Sequence, residues 1–88
     1  MKIFKYEYNK HLNRYLILDK MGLPLGFYAY ISLLVSMTWG EIYNFFHDNY
    51  SGELAANSIT IVFKTEIDVI KAIEGLESLI IMDKLMEE

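Results

Sequence analysis

The chain has 88 residues, 53% of them hydrophobic, with a formal net charge of −4 and no cysteine. That length suits one domain with a small core. The missing cysteines exclude a disulfide framework and a thiolate metal site, and they suit a cytoplasmic protein.

The charge is unevenly spread. Residues 1–20 carry five cations against two carboxylates, residues 21–40 carry no charge, and residues 41–88 carry ten carboxylates against three lysines. A basic head, an apolar middle and an acidic rear bear on partners more than on fold. So much apolar material in a small domain leaves some of it exposed, and exposed apolar surface marks interfaces. A protein partner is therefore expected, and self-association as a homodimer with it.

Lys2–Tyr8 alternates Ile3, Lys5 and Glu7 with Phe4, Tyr6 and Tyr8, the period of a strand with an aromatic face. Asn9–Asn13 has loop composition, and Arg14–Asp19 reads as a second strand closing a hairpin. Helical spacing of Leu12, Tyr15, Leu16 and Asp19 leaves a helix over residues 9–21 as the competing reading. The uncharged run Met21–Gly40 is long enough for a membrane span. Its content points elsewhere: Gly22, Pro24 and Gly26 supply turn chemistry, and Phe27–Ser36 alternates as a third strand of a meander. No membrane span and no secretory signal are expected.

Thr38 and Glu41 match a capping box, opening a helix with Trp39, Ile42, Tyr43 and Phe46 on one face and an end near Asn49. "NYSGELAAN" reads as a loop to Ser58, followed by a strand over Ser58–Lys64 with Ile59, Ile61 and Phe63 on one side. Thr65–Asp68 opens a second helix whose carboxylates face the positive dipole end, with Val69, Ile70, Ile73 and Leu76 as its apolar stripe. Gly75 costs that helix stability and marks its approach to an end. Leu79–Met82 is either a short last strand or more helix. The expected fold is α+β: an antiparallel sheet of four to five strands with two helices on one face.

Groups for catalysis are few. His11 falls in the hairpin loop. His47 precedes Asp48, and neighbouring helix residues diverge by about 100°, so no base–orienter pair is expected. Converging metal ligands, a phosphate-cradling glycine loop and a nucleophile elbow are all missing from the pattern. Neither enzyme activity, cofactor nor metal is expected.

"MGLPLGFYAY" followed by "EIYNFFHDNY" resembles the strand-then-helix piece of GNAT-type N-acetyltransferases, over about a third of the chain. The resemblance implies an acetyl-coenzyme A ligand held on the amides of a glycine-rich turn before the strand. The preceding "YNKHLNRYLILDK" has no glycine, so no residue takes a role from it; a degenerate fragment of that family is the third reading.

Two surfaces remain. Lys2, Lys5, Lys10 and Arg14, with Phe4, Tyr6 and Tyr8, have the ingredients of a nucleic-acid face, in which rings stack on bases and cations meet phosphate. The domain's acidity opposes that reading. The other surface is acidic and aromatic: Tyr28, Tyr30, Phe45, Asp48, Glu53, Glu66, Asp68, Glu74 and Glu77, a set of ring anchors with a charged rim. The leading expectation is a small non-enzymatic interaction module, an inhibitor or adaptor of the kind phage and mobile-element genes encode, gripping a basic groove of a host or defence protein.

Overall fold

In the computed structural model, residues 4–19, 22, 36–56 and 60–86 are described. Alternation folds the N-terminal segment into β1 (Lys5–Asn9) and β2 (Arg14–Leu18), paired antiparallel from Lys5↔Leu18 to Asn9↔Arg14. The hairpin reading therefore holds over the helical one. The connection ends on Asn13 at φ 55°, a left-handed conformation asparagine tolerates. Within it the Asn9 side chain accepts from the Leu12 amide at 3.0 Å, and the Tyr8 hydroxyl donates to Asn13 Oδ1.

Helix α1 (Trp39–Tyr50) starts on the expected capping box. Thr38 Oγ1 accepts from the Glu41 amide at 3.2 Å, and the Glu41 carboxylate accepts from the Thr38 amide at 2.9 Å. The helix stops where Ser51 turns left-handed at φ 58° and the Gly52 amide bonds back to the Phe46 carbonyl at 2.9 Å. Gly52 is tightly packed: a Cβ would lie 3.0 Å from Phe46 Cβ and 3.1 Å from Ile61 Cγ2, so its neighbours would have to shift to admit a side chain.

The stretch expected to be only loop contains a two-residue strand, β3 (Glu53–Leu54), paired antiparallel with β4 (Ile61–Phe63). Helix α2 (Glu66–Met86) follows, its start held by Thr65 Oγ1 accepting from the Asp68 amide at 3.1 Å. Leu79–Met82 continues this helix.

Among the described residues the fold is α+β, with a four-stranded antiparallel sheet in the order β1-β2-β4-β3. The expected meander strand lies outside the described residues except for Ser36. The edge of β2 assigned to it is taken at Tyr15 and Leu16 by β4, through Tyr15↔Phe63 and Leu16↔Val62. A contact between residues some 48 positions apart leaves no local trace, which is why the pattern missed it.

Both helices pack on one sheet face. Phe4, Ile17, Ile61 and Phe63 meet Ile42 and Phe46 of α1 and Val69, Ala72, Ile73, Leu76 and Ile80 of α2. Phe46 and Phe63 meet edge-to-face with centroids 5.9 Å apart. On the other face Leu16, Leu18 and Val62 are buried too.

Gly75 lies mid-helix and does not mark an end. It lets the Tyr50 ring of α1 rest against α2, where a Cβ would come within 2.7 Å of Tyr50 Cζ. Its helix-propensity cost is the condition for that contact. Among the described residues no helix is long and apolar enough to cross a membrane.

Candidate functional site

The stripe expected for α2 needs one correction. Val69, Ile73 and Leu76 point into the core together with Ala72 and Ile80, whereas Ile70 does not; it is 38% exposed. It belongs with Ile67, 64% exposed, and Ile81, 40% exposed, on the outer side of the helix, where Met82 is also open at 58%. Ile67, Ile70, Glu74, Glu77 and Ile81 succeed one another at steps of three and four residues, so they line one stripe.

Beside that stripe a groove of about 500 Å³ runs between β1 and α2, lined by Phe4, Lys5, Tyr6, Ile70, Ile73, Glu74 and Glu77. Among the described residues, two hydrogen bonds join the start of the hairpin to this flank of α2. The Phe4 amide donates to Glu77 Oε2 at 3.3 Å, and the Tyr6 hydroxyl donates to Glu66 Oε2 at 3.0 Å. The bond to the Glu66 carboxylate, and then desolvation, push the Tyr6 hydroxyl above the usual tyrosine pKa, because both favour the protonated phenol.

Of the acidic set, Glu66, Glu74 and Glu77 thus gather on the flank of α2 that faces β1. Asp68, two positions from Glu66, lies about 200° around the helix from it. Glu53 sits on β3 at 3.8 Å from Arg14 Nε. Asp48 lies at the end of α1, its Oδ1 3.2 Å from His47 Nδ1. That contact corrects the expectation that adjacent residues stay apart: the side chains bend together at the exposed helix end. The His47 ring also lies beside Tyr43, centroids 5.3 Å apart. The His47 side chain is 53% exposed and lines neither the β1–α2 groove nor the cavity of about 280 Å³ by the hairpin loop.

Phe45 is half-buried rather than a free anchor. It packs edge-to-face on Phe46 at 5.2 Å and on Tyr50 at 5.4 Å. Tyr28 and Tyr30 lie outside the described residues.

Among the described residues, the rings and cations of the expected nucleic-acid surface do not share one face. Phe4 is in the core, and Tyr6 packs against it with Tyr15. Strand alternation directs Lys5 to the opposite side of the sheet from those rings. Arg14 is engaged with Glu53, Lys10 is exposed in the hairpin loop, and Lys2 lies outside the described residues. Among the described residues, no three His, Asp or Glu side chains are placed to hold a metal ion.

Sequence reading missed Tyr6 as a groove residue and Ile67, Ile70 and Ile81 as exposed. The signal was present: α2 carries isoleucine on more than one side, which a helix with a single buried face does not need. No protein-family model matches the chain, and no curated protein or solved structure does either.

Proposed function

We propose that this protein acts by binding another protein, with the outer stripe of α2 and the adjoining β1–α2 groove as its contact surface. The observation that carries this reading is the exposure of Ile67, Ile70 and Ile81 in line with Glu74 and Glu77. Exposed aliphatic side chains cost solubility unless they are used, and a stripe of them beside a groove is the usual form of a docking site. Carboxylates among them give the surface a sign. They select a partner whose matching surface is basic and reject acidic ones. Acting as an inhibitor that blocks a host or defence protein through a basic element of that partner is the specific form of this function. Binding is then the whole mechanism, with no group transferred.

The test is affinity capture from the native host, reconstitution with the purified partner, and comparison with an Ile67→Ser/Ile70→Ser/Glu74→Lys variant. A one-to-one complex weakened at least tenfold by the variant is expected. A complex that forms with unchanged affinity would remove this surface from the function.

A further inference from the structure

Among the described residues β1 pairs in the sheet with β2 alone, and Phe4, Lys5 and Tyr6 line the groove against α2. The direction of its backbone groups follows from one bond. The Phe4 amide donates to Glu77, away from β2, and in an antiparallel ladder the outward orientation repeats every second residue. The amides and carbonyls of Tyr6 and Tyr8 therefore point along the same edge, away from β2. Above them stands α2, presenting Ile70, Glu74 and Glu77. A strand edge next to a helix flank, with a cavity between, is the geometry into which an extended peptide adds as a further strand.

We infer that the bound element of the partner is an extended, basic segment that pairs with β1 at Tyr6 and Tyr8 and directs alternate side chains toward Ile70, Glu74 and Glu77 of α2. The inference rests on the protein-binding reading above and specifies its ligand. Charge complementarity selects the occupant. Among the described residues Glu74 lines the groove and Glu66 stands beside it through its bond to Tyr6, while the Lys5 side chain is directed to the other side of the sheet, so the described wall of α2 is acidic. Aliphatic contact at Ile70 and Ile73 suits a β-branched side chain between two lysines or arginines. A second copy of this chain is a poor occupant. Two-fold pairing of β1 with itself about Glu7 would set that carboxylate against its own image and bring two acidic α2 flanks together. Lys5 and Glu7 on the edge also guard it against such pairing.

The probe is a labelled, acetylated and amidated heptapeptide, Thr-Lys-Thr-Val-Thr-Lys-Thr, titrated onto the intact protein. It is compared with a Glu-for-Lys form and with its two alternately N-methylated forms, one for each phase of its amides. Saturable binding is expected, with amide signals of Tyr6 and Tyr8 shifted and protected from exchange. One N-methylated phase should bind at least tenfold more weakly while the other is tolerated, because only one phase faces β1. The Glu form, and Glu74→Lys with the Lys form, should each lose at least tenfold.

Lack of binding, or equal binding by both N-methylated forms, overturns the inference. Shifts confined to Ile67 and Ile81 overturn it as well, while leaving the protein-binding reading in place. A sedimenting dimer that the peptide dissociates makes a second copy the natural occupant and overturns it too. The protein-binding reading itself fails only on its own test, when the purified partner ignores the α2 variant.

Discussion

The two sides of α2 are built from the same material and put to different ends. On the inner side Val69, Ala72, Leu76 and Ile80 are essentially without solvent contact, packed on Phe63, Ile61 and the α1 side chains. On the outer side Ile67, Ile70 and Ile81 are as apolar but open to solvent, interspersed with Glu74 and Glu77. Composition does not separate the two stripes; the sheet does, by covering one of them. The inner stripe holds the fold together, and the outer stripe is free to select what the protein meets.

Truncation inside should produce the largest effect. Leu76→Ala removes a buried side chain and leaves a cavity, with an expected cost of about 2–5 kcal/mol in a urea melt. In a domain of this size that is a large share of the total stability. A loss below about 1 kcal/mol would mean the inner stripe is not the core.

The next effect comes from the helix–helix contact. Gly75→Ala places a Cβ within reach of the Tyr50 ring. The overpacking cost exceeds the propensity gain, giving a net loss of about 1–2 kcal/mol. In a Tyr50→Ala background the sign should reverse, to a gain of about 0.5–1 kcal/mol. Gly40, in the first turn of α1 with nothing near its Cβ direction, is the control: Gly40→Ala should stabilise in either background.

Capping comes third. Thr38→Ala should cost about 1 kcal/mol at neutral pH. The Thr38 amide, helped by the Thr38 side chain, holds the Glu41 carboxyl below the usual carboxylate range. A lowered folded-state pKa contributes stability that is full above the unfolded value and lost as pH falls through the folded one. The acid limb of the stability curve should therefore flatten in Glu41→Gln. Tyr6 acts with the opposite sign. Its raised pKa contributes stability below about pH 10 that disappears as the phenol ionises, so Tyr6→Phe should flatten the alkaline limb.

The smallest effect belongs to the outer stripe: Ile67→Ser should move stability by no more than about 0.5 kcal/mol.

Local features were the legible ones. The hairpin followed from alternation with a polar loop, both helix starts from a threonine three residues ahead of a carboxylate, and the α1 face from Ile42 and Phe46. What was hidden depends on contacts distant in sequence. Strand β3 is two residues long and exists because Ile61 and Val62 offer it a ladder. The place of β4 beside β2 has no sequence period. Ile70 reads as inward because apolar residues occur on both sides of α2, so spacing alone does not choose between them. The groove required Tyr6 of β1 and Glu74 of α2 to be neighbours, which the order of the chain does not state. Acidity in the last third was visible, but its division was not: Glu66, Glu74 and Glu77 flank the groove, while Glu53 and Asp48 are taken up with Arg14 and His47.

The most direct measurement takes stability and partner affinity on the same protein, comparing wild type with Ile67→Ser/Ile70→Ser. A midpoint of unfolding that stays in place while the purified partner's dissociation constant rises at least tenfold is the predicted result. Affinity retained by a well-folded variant would contradict the assignment of the outer face of α2 to binding.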